Sequence, residues 1–123
     1  MCRSVILCLL LCSNVVAHEM TPTYPKWEVS YIEGVQKTTM KMFNKRKDAS
    51  WYEINVFDEF WKPIPFATKN KILKIDYLGH AKFDVYINAG DAKRTEYICS
   101  TSKLRKNDSN KPMVVSKICS RFK

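Results

Sequence analysis

Apolar and polar residues alternate along several short segments of the chain, a pattern typical of β-strands with one buried face. Residues 51–58 give the clearest case. There Tyr52, Ile54 and Val56 point one way, and the polar residues between them point the other. This period of two predicts a strand whose apolar side faces a core.

The same pattern, with β-branched and aromatic residues between turn signals, predicts further strands. After an extended lead-in over residues 18–25, the predicted strands span residues 35–43, 51–58, 72–77, 82–87, 94–100 and 114–122. We expect a turn over residues 88–91 and a polar, charged loop over residues 103–112. Together with the extended lead-in, these make about seven short strands, which predict an all-β fold, a single immunoglobulin-like sandwich. A small barrel has a similar signature and is the alternative.

The first 17 residues have the composition of a cleavable signal peptide. Arg3 precedes a run of apolar residues that is too short to span a bilayer, and Val15 and Ala17 suit a cleavage site before His18. The sequence therefore predicts a signal peptide over 1–17 and one domain over 18–123. We expect a periplasmic or secreted protein with no stable membrane span after cleavage.

The cysteines fit export. Of five cysteines, only Cys99 and Cys119 lie beyond the predicted leader, so an odd count becomes an even one. Two cysteines without CxxC spacing cannot form a tetrahedral zinc site alone, and oxidising compartments favour disulfides. We therefore predict a Cys99–Cys119 disulfide that joins the last two strands.

The net positive charge of the chain does not by itself indicate a binding partner. Residues 18–123 carry 20 Lys and Arg against 12 Asp and Glu, a net charge of +8. The cations are spread along the chain, and their densest groups lie among turn-like residues, as expected of solvated loops. Because export also separates the protein from nucleic acid, we expect no nucleic-acid partner.

Catalytic motifs are missing from the sequence. It has no G-x-S-x-G or H-E-x-x-H motif, and its two histidines leave few acid–base groups near neutral pH. We expect a non-enzymatic protein without a cofactor. Trp27 and Trp61, which lie near prolines, are either surface contacts for a partner or glycan, or core residues.

Several segments resemble the N-terminal immunoglobulin-like domain of periplasmic pilus (fimbrial) chaperones. The similar stretches are Met40 to Asn44, Tyr52 to Phe57, Pro65 to Thr68, Lys82 to Ile87 and Asp91 to Cys99. The resemblance covers about residues 35–122 and implies a sandwich that binds a client by strand pairing. One subgroup of that family has a disulfide between its last two strands. The chain departs from the family by carrying one such domain where the chaperones have two.

An N-terminal His18 suggests a different class of function. Its amine and ring nitrogen are copper ligands in some sandwich proteins, and His80 is the only second histidine. A copper-binding protein that uses His18 and His80 is therefore the alternative, as is a virion- or surface-associated structural protein.

The end of the chain is where we expect a partner protein to bind. Residues 113–119 are apolar and β-branched, and a basic loop precedes them. If this strand lies at a sheet edge, its backbone can pair with a partner strand. The predicted partner-binding residues are Met113, Val115, Ile118, Lys103 and Arg105. The alternative is a strand that is paired on both sides.

Overall fold

The computed structural model of the chain describes residues 18–103 and 115–122, which form short strands and one short helix. The elements in chain order are β1 (Glu19–Thr21), β2 (Glu28–Val29), β3 (Val35–Phe43), β4 (Trp51–Asp58), β5 (Ile72–Lys74), β6 (His80–Asn88), α1 (Ala89–Arg94), β7 (Thr95–Lys103) and β8 (Lys117–Arg121).

The strands form two antiparallel sheets. In sheet A, β3 pairs along its length with β6 on one side, and with the short strands β1 and β2 on the other. Sheet B has the order β5-β4-β7-β8. The predicted all-β sandwich is confirmed.

The core lies between the sheets and is built by the alternation seen in the sequence. The inward apolar residues of β4 are at most 1% exposed, and those of β6 at most 6% exposed. Each such apolar side chain contributes about 1.5–3 kcal/mol on burial. The buried apolar residues of these two strands are Tyr52, Ile54, Val56, Phe83, Val85 and Ile87, and the first three are those that the sequence predicts to share a face.

The N-terminal segment crosses from one sheet to the other. β1 pairs with β3, and after a cis peptide bond at Pro22 the carbonyl of Thr23 accepts a hydrogen bond of 3.0 Å from the Arg121 amide. The chain then returns to β3 through β2, and Trp27 stacks on Phe122 with ring centroids 4.6 Å apart. This segment therefore closes one side of the sandwich between β3 and β8.

Several predicted boundaries differ from the structure, three of them by more than the ends of a strand. The turn expected at 88–91 begins α1, where Arg94 forms an ion pair with Asp91 one turn away. The strand expected over 72–77 ends at Lys74, because residues 76–79 form a tight turn with a bond from the Gly79 amide to the Asp76 carbonyl. The last strand begins at 117, and residue 114 lies outside the described residues.

The predicted leader and most of the predicted basic loop also lie outside the described residues. Within 18–103 and 115–122, no helix has the length and apolar character needed to cross a bilayer.

Candidate functional site

The last strand lies at the end of sheet B. Among the described residues, β8 pairs in a strand ladder with β7 alone. Cys99 and Cys119 are directly opposite in this ladder and form the predicted disulfide. The disulfide therefore fixes the register of β8 on β7.

One set of backbone groups in β8 is used by β7. The Ser102 amide donates to the Ser116 carbonyl at 2.9 Å, and the Phe122 amide donates to the Glu96 carbonyl at 2.8 Å. In an antiparallel pair, the residues that exchange hydrogen bonds alternate along the strand. The even-numbered residues from 116 to 122 thus direct their backbone groups toward β7.

The odd-numbered residues of β8 direct their backbone groups away from β7. Arg121 shows this directly, because its amide donates to Thr23. Lys117 and Cys119 lie before that crossing, and no strand pairs with them on this side in the part of the chain that the structure describes. Among the described residues, the edge is therefore hydrogen-bonded at Arg121 and has no strand ladder at Lys117 and Cys119, and β1 lies close beside β8.

The residues predicted to bind a partner have different environments. Val115 precedes β8 and is 63% exposed, whereas Ile118 is half-buried and packs against the core. Lys103 is exposed and forms an ion pair of 2.9 Å with Glu53. The other two predicted residues lie outside the described residues; they are Met113 and Arg105.

The outer face of sheet B next to β8 carries three aromatic rings and two cations. We call this group the aromatic–cationic patch; its members are Phe57, Trp61, Tyr97, Lys117 and Arg121. The residues come from β4, the turn after it, β7 and β8, so the patch adjoins the unpaired edge.

Ring stacking and cation–π contacts hold the patch together. Trp61 stacks on Tyr97 with centroids 4.0 Å apart and planes 5° apart. The Lys117 ammonium lies 4.6 Å from the Phe57 ring centroid and 4.8 Å from that of Trp61. Such contacts are worth about 0.5–1 kcal/mol at exposed sites. They orient the Lys117 side chain over the rings.

The turn after β4 holds Trp61 in an unusual conformation. Trp61 has a φ of 62°, in the left-handed region that favours glycine. The Asp58 carboxylate accepts hydrogen bonds of 2.9 Å from the amides of Phe60 and Lys62, which fixes the turn. A residue held in this region costs of order 1–3 kcal/mol, and such residues cluster at functional sites.

The two tryptophans that the sequence singled out have different positions. Trp61 is 48% exposed and belongs to the patch, while Trp27 is half-buried and packs against the core. The stacking partner Tyr97 lies far away in sequence, so no local pattern reveals the patch.

A second polar group lies inside the sandwich, at the end where β1 begins. His18 is only 1% exposed, and its ring nitrogens are 2.7 Å from Ser100 Oγ and 3.1 Å from Ser116 Oγ. Burial lowers the pKa of the imidazole, and the charge of Arg46 lowers it further. His18 therefore fastens the N-terminal segment to β7 and to the residue before β8 as a neutral ring.

Arg46 and its partners continue this buried group. One terminal nitrogen of Arg46 lies 3.2 Å from both Ser102 Oγ and Ser116 Oγ, and the guanidinium pairs with Asp48. The hydrogen bond from Arg46 lowers the pKa of the Asp48 carboxyl. A buried cation is thus compensated by a carboxylate and two hydroxyls.

Asn44 is the most fully used polar side chain in this group. Its amide nitrogen donates to the carbonyls of Ala49 and Ile75 at 2.8 Å each, and its oxygen accepts from the Tyr52 hydroxyl and the Arg46 amide. Burial raises the pKa of the Tyr52 phenol to about 12. We call His18, Asn44, Arg46, Tyr52 and Ser100 the buried polar cluster.

The predicted copper pair is not assembled. His18 faces the core and packs on Tyr52, whereas His80 is exposed and stacks on Phe43 at the outer face of sheet A. Both ring nitrogens of His18 are also within hydrogen-bond distance of serine hydroxyls. In the described part of the chain, no three His, Cys, Asp or Glu side chains form a metal-binding group.

No protein-family model matches the chain, and no curated protein matches it significantly.

Proposed function

We propose that this protein is an exported, non-enzymatic binding module that captures an extended segment of a partner protein at the edge of β8. The observation that carries the proposal is the pair of outward-directed backbone positions, Lys117 and Cys119, at the end of sheet B. Unpaired strand edges are templates for an added strand, whose main-chain hydrogen bonds supply affinity.

The disulfide supports this proposal through the stiffness it gives the edge. Cys119 lies in the middle of the short strand β8 and is bonded to Cys99 on β7. A strand of five residues has few ladder bonds of its own. Because the covalent link fixes its register, β8 can accept a partner without slipping along β7.

The rest of the proposal concerns where the protein acts. The composition of residues 1–17 and the paired cysteines favour the periplasm or secretion. The resemblance to pilus chaperones implies the same mode of binding, by strand pairing. Neither feature identifies the partner, so the proposal rests on the edge itself.

Two single proline substitutions test whether the edge of β8 binds a partner strand. Val115→Pro removes the amide of the exposed residue two positions before Lys117, where the outward-directed series would continue, whereas Ser116→Pro removes an amide that donates to Ser102 Oγ. We expect Val115→Pro to fold and to lose binding of a fluorescent peptide that alternates valine with threonine. We expect Ser116→Pro to lower the free energy of unfolding by about 1–3 kcal/mol, because Ser102 Oγ loses its donor.

Circular dichroism and fluorescence anisotropy separate the outcomes. A folded Val115→Pro variant that binds the peptide as well as the parent contradicts strand capture at this edge. An unfolded Val115→Pro variant shows instead that this segment is an interior part of the sheet.

A further inference from the structure

We infer that the captured segment is amphipathic, with acidic side chains on the face that lies beside Lys117 and apolar side chains on the other. This inference rests on the proposed function, because it names the chemistry of the partner that the β8 edge selects.

The register of an added strand places one partner residue next to Lys117. Lys117 directs its backbone groups outward, so a partner residue that pairs with it exchanges hydrogen bonds with it directly. Side chains of directly opposed residues lie on the same face of a sheet, with Cβ atoms about 4.5–5.5 Å apart. The side chain of that partner residue therefore extends over the outer face of sheet B, beside the Lys117 ammonium.

The charge of Lys117 determines which kind of partner residue is favoured beside it. Two nearby cations on this face already have acids of this chain, since Lys103 pairs with Glu53 and Arg121 with Glu96. Within the described residues, Lys117 has no carboxylate at ion-pair distance, and its ammonium lies over Phe57 and Trp61. A carboxylate from the partner is the complement that this position lacks.

The neighbouring positions select apolar residues. Side chains alternate between the two faces of a strand, so the partner residues on either side point toward the core side of the sandwich. There Ile118 is half-buried and packs against the core. An apolar partner residue extends this contact, whereas a charged one would be desolvated without a counter-charge.

The turn at Trp61 makes the outer face beside Lys117 rigid. Trp61 keeps its positive φ through the hydrogen bonds to Asp58, and its ring lies flat on Tyr97 beside Lys117. The rings hold the ammonium in place before any partner arrives. A pre-positioned cation loses less conformational entropy when it meets a carboxylate.

Three labelled peptides and three variants test the inference. The peptides alternate valine with glutamate, threonine or lysine, and binding to the oxidised protein is measured by fluorescence anisotropy at low and high salt. The variants are Lys117→Gln, Lys117→Glu and the control Lys82→Gln, which removes an exposed cation from sheet A.

We expect the glutamate peptide to bind about fivefold more tightly than the threonine peptide at low salt, and less so at high salt. Lys117→Gln should remove this preference, Lys117→Glu should shift it toward the lysine peptide, and Lys82→Gln should keep it.

The possible results distinguish a failure of the inference about acidic side chains from a failure of strand capture. Equal binding of the glutamate and threonine peptides overturns the inference and leaves strand capture standing. A preference that survives in Lys117→Gln also overturns it, since the net charge of the protein then explains the selectivity. If none of the three peptides binds the parent protein, strand capture fails and the inference fails with it.

Discussion

Two regions with charged and polar side chains adjoin β7 and β8, and they differ in whether residues of this chain satisfy those side chains. The buried polar cluster around His18, Asn44 and Arg46 is satisfied within the chain, with hydrogen bonds to serines, carbonyls and Asp48. The aromatic–cationic patch lies on the outer face, where its Lys117 contacts rings and no acid of the described chain. The first region stabilises the fold, and the second adjoins the edge at which we propose that a partner binds.

This difference predicts that substitutions in the two regions separate stability from binding. A buried group with lost partners leaves unsatisfied donors and acceptors, which costs free energy of folding. An exposed cation over aromatic rings contributes little to folding. The predictions below run from the largest expected effect to the smallest.

Replacing both Cys99 and Cys119 with serine should lower the free energy of unfolding by about 2–5 kcal/mol, because the unfolded chain loses a covalent constraint. Chemical denaturation of the parent and the double variant measures the difference. The parent under reducing conditions is the matched control and should be destabilised similarly. An unchanged midpoint would show that β8 is held by its other contacts.

Asn44→Ala should lower the free energy of unfolding by about 3 kcal/mol. The substitution leaves the buried carbonyls of Ala49 and Ile75 and the Tyr52 hydroxyl without their partner. Lys117→Gln should lower it by only about 1 kcal/mol, because its two cation–π contacts are at the surface. Equal effects of the two substitutions on urea denaturation would remove the distinction between the two regions.

Stability should depend on pH through His18. The folded pKa lies below the reference value of 6.5, so the unfolded chain takes up a proton first as the pH falls. The contribution is fully present above that reference value and is lost as the pH falls below it. Between about pH 5 and 7.5, the free energy of unfolding should rise with pH, and His18→Gln should flatten this slope. A parent and variant with the same slope would show that His18 does not titrate on unfolding.

Trp61→Gly should change the free energy of unfolding little, because two effects oppose each other. Glycine accepts the positive φ of 62° without strain, while the stack on Tyr97 is lost. We expect a net change within about 1 kcal/mol in thermal or chemical denaturation. Trp61→Ala is the matched control, since it loses the stack and keeps the strain, and it should be the less stable of the two. The reverse order would show that the backbone at Trp61 is unstrained.

The sequence predicted the strands of the core because their pattern is local. Tyr52, Ile54 and Val56 alternate within one segment, and burial of one sheet face requires that alternation. The position of α1 could not be obtained in this way. Residues 88–91 carry turn signals, which predicted a turn. The ion pair between Asp91 and Arg94 spans one helical turn, and Arg94 lies outside the segment that carries those signals.

The contacts within the two polar regions could not be predicted from the sequence, because a local pattern does not report contacts between distant segments. His18 meets Ser100 and Ser116, and Trp61 meets Tyr97, only because the sheets bring distant segments together. The left-handed backbone of Trp61 also runs against the preference of its residue type. The disulfide was the exception, since two cysteines beyond the leader leave one pairing.

Hydrogen exchange of the β8 amides, followed by NMR with and without the valine–glutamate peptide, tests strand capture most directly. In the free protein, the amides of Ile118 and Ser120 should already be protected by β7, and those of Lys117 and Cys119 should exchange faster. Strand capture predicts that the peptide slows exchange at Lys117 and Cys119 and leaves Ile118 and Ser120 nearly unchanged. Bound peptide with unchanged exchange at Lys117 and Cys119 would contradict it.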